Sequence, residues 1–131
     1  MLLIDTHILV WMIDRPNMLR VVERAVLDAN ADELAASVIS LWELRLKWER
    51  LDRAGRRKGP LDPVDVRQAL AILGIPILPL DAEQAVASLR VPIKHRDPFD
   101  EQLLIHAQVI GAKLITRDAN LIAHPLAYRF G

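Results

Sequence analysis

Three short apolar runs in this 131-residue chain, Met1-Leu2-Leu3-Ile4, Leu34-Ala35-Ala36 and Lys113-Leu114-Ile115-Thr116, are each followed closely by an acid and a helix-like segment. The acids are Asp5, Glu43 and Asp118, and a fourth, Asp100, stands in the opening turn of a long helix-like run. Short buried runs alternating with helical periods predict a parallel sheet covered on both faces, because a crossover helix must return the chain to the sheet's starting edge. Such a sheet gathers its strand-to-helix junctions along one edge, so acids far apart in sequence can meet in space.

The elements follow from the same pattern. Leu2-Leu3-Ile4 reads as a buried strand, with a helix over Ile8 to Ile13 that stops near Arg15-Pro16. Leu19, Val22, Val26 and Leu27 recur at helical spacing up to about Asn30. A second strand is expected around Leu34 to Ser37. Leu41, Leu44, Trp48 and Leu51 mark an amphipathic helix from Ile39 to Leu51. Arg53 to Pro63 is polar and contains Gly and Pro, as a loop does. Val64 to Leu73 is helical and ends at Gly74. Ile75 to Leu78 is a third strand, and Pro76, which cannot donate to a ladder, places it at an edge. Asp81 to Leu89 is a further helix. Pro98 and Gly111 bracket a longer one in the usual order, proline just inside the start and glycine just past the end. Strand four, Lys113 to Thr116, precedes a short helix and a small last strand over Ala127 to Phe130.

Length and composition allow one core and one domain, 1–131, with no linker or repeat. The 17 basic and 17 acidic residues cancel, so polyanion binding must come from a local patch. The absence of cysteine removes disulfides, thiolate metal sites and thiol catalysis, and suits a cytoplasmic protein. The apolar start carries Asp5 and His7, has no basic leader and is too short to span a bilayer, so no membrane association or export is expected.

Each acid has a structural explanation of its own. Asp5, Asp118 and Asp97 can be helix N-caps, Ser40-x-x-Glu43 has the capping-box pattern, and Asp100 faces a positive helix end. Capping and catalysis put them on the same edge, so sheet order must decide. If strand one lies between strands two and four, Asp5, Glu43, Asp100 and Asp118 meet while Asp81, which also begins a helix after a strand, stands aside. Clustered carboxylates repel and raise one another's pKa unless a cation sits among them. A hard ion such as Mg²⁺ or Mn²⁺ suits oxygen ligands, and hydrolysis of a phosphate ester is the chemistry such a site supports.

Four segments together resemble the PIN-domain ribonucleases, specifically the VapC-type toxins of bacterial toxin–antitoxin pairs. They are Leu3-Ile4-Asp5-Thr6-His7, Ser40-Leu41-Trp42-Glu43 with Lys47, His95-Arg96-Asp97-Pro98-Phe99-Asp100 leading into Leu103-Leu104, and Leu114-Ile115-Thr116-Arg117-Asp118. The resemblance implies a three-layer α/β/α sandwich with a mostly parallel sheet of four or five strands, and Mg²⁺- or Mn²⁺-dependent cleavage of RNA. It also implies a homodimer and a small cognate antitoxin. By motif position Asp5, Glu43 and Asp100 are its metal acids and Asp118 a fourth. Spacing to Asp118 favours Asp100 over Asp97. Thr6 and Thr116 would support through their hydroxyls. Two positions depart from the pattern: Glu101 stands where arginine is common, and His106 where glutamine is usual.

Other features carry both plain and functional readings. Arg45, Lys47, Arg50, Arg53, Arg56, Arg57 and Lys58 form a basic stretch that reads first as a solvated helix face with a mobile loop and second as a phosphate contact. Arg96 and Arg117, beside the acids, are candidates to grip phosphate. His7, His95, His106 and His124 show no paired metal spacing and read as structural or supporting. Trp11, Trp42 and Trp48 read as core or interface aromatics. Two alternatives to the nuclease remain open at this level. One is a phosphatase with Asp5 as nucleophile, which lacks the usual second aspartate because His7 stands there. The other is a non-catalytic protein-binding module.

Overall fold

The computed structural model describes residues 1–130. Four strands form an all-parallel sheet in the order β3-β2-β1-β4, with β1 Leu2–Ile4, β2 Leu34–Ser37, β3 Ile77–Leu78 and β4 Lys113–Ile115. The helices are α1 Thr6–Asp14, α2 Val21–Ala29, α3 Val38–Glu49, α4 Pro63–Leu73, α5 Ala82–Val86 and α6 Pro98–Ile110. The fold is α/β, with the parallel sheet that the sequence pattern predicts.

Side-chain alternation along each strand builds two cores. Leu2, Ile4, Leu34, Ala36 and Ile115 face one side, where Ile8, Leu9, Leu44, Val66 and Leu70 from the helices cover them. Leu3, Ala35 and Leu114 face the other, against Ile39, Leu103, Leu104 and Ala107. The period-2 pleat therefore explains why these strands have no polar face: both sides are buried, so every residue is apolar or small except Lys113, exposed at the start of β4.

β1 is central, Leu3 opposite Ala35 on one side and Leu114 on the other. β3 is an edge strand, and Pro76 just before it uses its carbonyl to accept the Ala36 N–H at 2.9 Å. Gly111 ends α6 with φ 70°, a left-handed cap that returns the chain directly to β4.

Two expectations change. No helix follows β4: residues 119–123 form turns, in which Leu121 and Ile122 donate to the Asp118 carbonyl. The last strand reduces to one parallel bridge between Ala127 and Leu114, because Pro125 and the turn before it leave too little straight chain to pair. The segment after α3 is the expected loop, closed by its own hydrogen bonds. Asp52 Oδ1 accepts the N–H of Ala54 and Arg56, Lys58 N–H donates to Arg50 O, and Arg57 lies over Trp48 at 5.5 Å. No helix among the described residues is long and apolar enough to cross a membrane.

Candidate metal and nucleic-acid site

Strand order sets the site's frame. Asp5 follows central β1 and caps α1, its Oδ1 accepting the Thr6 N–H at 2.7 Å. Its Oδ2 accepts the Thr116 hydroxyl at 2.7 Å, a bond that spans from the end of β4. Thr116 in turn accepts the Asp118 N–H at 3.1 Å, so one hydroxyl ties both acids to the same strand end. Asp5 is 3% exposed and Thr116 fully buried. Two buried oxygens with two donors are satisfied locally, which is how a charged group is tolerated there.

Glu43 sits one and a half turns into α3, next to the sheet edge that β2 feeds. It is not part of a capping box. The N-cap is Ser37, whose Oγ accepts the Ile39 N–H at 3.1 Å. Ser40 instead pairs its hydroxyl with that of Thr6 at 2.9 Å, joining α3 to α1. Freed from capping, the Glu43 carboxylate runs to Lys47 Nζ at 2.8 Å. A serine does cap α3, but it is Ser37, three residues before the expected Ser40, because β2 feeds directly into α3 there.

The N-terminus of α6 divides its two aspartates by role. Asp97 is the cap, accepting from Phe99 N–H and Asp100 N–H on Oδ1. Asp100, three residues on, is released to face outward and meets His95 Nε2 at 3.0 Å. Asp118 Oδ1 accepts from Asn120 N–H at 2.8 Å in the turn after β4. Asp81 caps α5 through Gln84 N–H, and the histidine that feels its charge is His106.

Charge interactions connect the acids across elements. Burial above all, together with the charges of Asp97, Asp5 and Asp118, raises the Asp100 carboxyl to about 6 against the His95 hydrogen bond. Burial likewise raises Asp5, the Thr116 bond and the His7 charge opposing it and Glu43 adding to it. Asp5, Glu43, Asp100 and Asp118 therefore share one field, while Asp81 does not enter it.

Among the described residues, however, no three carboxylates or histidines are drawn together closely enough to form a finished metal cage. The reason is visible in the partners: Glu43 is turned to Lys47, Asp100 to His95 and Asp5 to Thr116. The donor set is nonetheless all carboxylate oxygen on three converging elements, and two of its members are held above their ordinary pKa partly by one another. That chemistry fits a hard divalent cation, which would relieve the repulsion.

A groove of about 700 Å³ opens over three of the acids, lined by Glu43, Lys47, Arg50, Arg96, Asp100 and Asp118 among others, while Asp5 opens with Asp118 into a neighbouring cavity of about 270 Å³. Arg96 is exposed on it. Arg117 lies differently: its guanidinium is 4.0 Å above the Trp11 ring, 3.0 Å from Glu23 and donates to Met18 O at 2.7 Å. It pins α1, the turn before α2 and α2 to the end of β4. His106, buried, meets Ser37 Oγ at 2.7 Å, and burial holds its pKa below the usual imidazole value. Since Ser37 Oγ already accepts from Ile39, its proton is free for the neutral ring. The sequence places Lys47 in the basic stretch and in the segment with Glu43 that carries the resemblance, without pairing the two side chains. The signal was there in Glu43-x-x-x-Lys47, a helical ion-pair spacing.

A model of the PIN domain family matches residues 2–125. No curated protein matches the chain significantly.

Proposed function

The chain belongs to the PIN domain family, whose members are typically metal-dependent nucleases, and on that premise we propose that it is an Mg²⁺- or Mn²⁺-dependent endoribonuclease, the toxin of a type II toxin–antitoxin pair. In this reading Asp5, Glu43 and Asp100 hold the ion and Asp118 assists. The protein works in the cytoplasm as a homodimer held in check by a small antitoxin protein.

The observation that carries the reading is the parallel order β3-β2-β1-β4. It puts Asp5 at the end of the central strand, with Glu43 after one neighbour and Asp118 after the other. A divalent ion bound there supplies Lewis-acid activation of water and neutralises charge building on the phosphodiester. The protein's own groups do the positioning. Thr116 keeps Asp5 oriented with its hydroxyl, and Thr6, through Ser40, keeps α1 and α3 in register. Arg96, exposed on the groove and able to present a planar fork, is the group placed to hold a phosphate. Arg117 serves from behind, fixing the Asp118 turn against α1 and α2.

The test uses the purified protein with RNA and Mn²⁺ or Mg²⁺. Cleavage is expected, stopping in chelator and falling by at least about a hundredfold in Asp5→Ala, the scale on which loss of a transition-state contact is felt. No cleavage by the native protein, or full activity in Asp5→Ala, would sink the nuclease reading.

A further inference from the structure

Among the described residues, Lys47 is the one lysine or arginine that pairs with an acid of the proposed metal set. Glu43 and Lys47 stand four residues apart on α3 with the acid first, the favoured order for a helical pair. Their charged atoms are 2.8 Å apart, with the Glu43 side chain 6% exposed and that of Lys47 41% exposed. Lys47 also lines two openings. One is the groove over the acids, and the other is a cleft of about 210 Å³ with Thr6, His7, Trp11 and Pro60. Its ammonium can thus leave Glu43 without being buried, and one space open to it is the groove that Arg50 and Arg96 also line.

We propose that Lys47 is the site's own placeholder cation: it neutralises Glu43 until a divalent ion takes that carboxylate, and the released ammonium then turns into the groove to hold a phosphate oxygen of the substrate. The inference rests on the nuclease reading above and gives this lysine a role in it. A buried carboxylate needs a counter-charge when no ion is present. The lysine provides one on a flexible stem, a compact charge that releases more readily than a forked guanidinium. Ion and lysine compete for Glu43, so loss of the lysine has opposite effects on the two steps.

The experiment measures Mn²⁺ binding to the full chain by calorimetry without RNA, then single-turnover RNA cleavage at saturating Mn²⁺. Lys47→Met is expected to bind Mn²⁺ about two- to fivefold more tightly, the range that a part-exposed lysine–carboxylate pair is worth. It is expected to cleave about ten- to hundredfold more slowly, as loss of a charge-assisted bond predicts. Arg50→Met removes a charge from the same groove without touching Glu43, and its Mn²⁺ affinity should change by less than half as much. Lys47→Gln is the second variant should the methionine disturb folding. Unchanged or weaker Mn²⁺ binding in both lysine variants overturns the placeholder role, because a merely structural lysine would loosen the site when lost. Unimpaired cleavage overturns the phosphate contact. If the native protein binds no Mn²⁺ at all, the metal-nuclease reading falls and takes this inference with it, whereas native Mn²⁺ binding with silent lysine variants removes the inference alone.

Discussion

Asp97 and Asp100 lie three residues apart at one helix start, yet only one is spent on the backbone. Asp97 accepts two N–H groups as the cap, so Asp100 faces the groove with its carboxyl raised to about 6 by burial and by Asp97, Asp5 and Asp118. A raised acid binds its proton more tightly folded than unfolded, so it costs no stability below the unfolded value near 3.8. The cost appears as pH climbs from about 4 to about 6 and stays in full above that. Asp100→Asn should therefore melt close to the native protein at pH 4 and increasingly above it toward pH 6, in thermal scans without metal. Adding Mn²⁺ should narrow the gap at pH 7 by stabilising the native protein alone, since ligand binding to the folded state adds stability. A gap that is constant with pH would show that Asp100 ionises without hindrance.

At the scale of elements, α3 is the part on which the site depends most, since it carries Glu43 and Lys47 and touches both cores. Its start is built by Ser37, which caps the Ile39 N–H and meets the buried His106 of α6. Ser37→Ala should cost about 1–2 kcal/mol in chemical denaturation, the usual worth of a lost cap, with the His106 Nδ1 left unpaired as a further cost. Nuclease activity should fall by more than stability alone explains, because Glu43 moves with the helix start. The strands were legible because a doubly buried parallel strand is an uninterrupted apolar run, and Leu34–Ser37 begins and ends as expected. The edge position of β3 was legible in Pro76. The start of α3 was not, since Ser37 and Ser40 are both good caps and only the direct passage from β2 decides between them. Nor was the turn after β4: Arg117-Asp118-Ala119-Asn120 resembles a helix entry in composition, but the chain is drawn back by the Leu114 to Ala127 bridge before a helix can form.

For the molecule as a whole, 17 basic and 17 acidic residues leave no net field to attract RNA, so attraction depends on how the charges are spread. The acids collect at the strand ends, while the basic stretch folds back on the end of α3 beside them. Three of its seven cations are engaged: Arg45 with Glu49, Lys47 with Glu43 and Arg56 with Asp52. Arg57 is held against Trp48. Arg50, Arg53 and Lys58 have exposed side chains; Arg50 and Arg96 line the groove, Arg53 and Lys58 follow in the loop after α3, and these four are the groups free to meet phosphates. About four such contacts to a single strand give a log affinity that falls with log salt at a slope near −3, at roughly 0.7 per phosphate. Fluorescence anisotropy with a labelled RNA and the Asp5→Ala protein, which binds without cutting, reads that slope directly. Arg50→Gln together with Arg53→Gln should lower its magnitude by about 1.4 and weaken binding alike for every RNA sequence, because phosphate contacts position the strand without reading it. A slope near zero would mean that the patch does not touch RNA, and that recognition lies in the acid groove and whatever base contacts flank it.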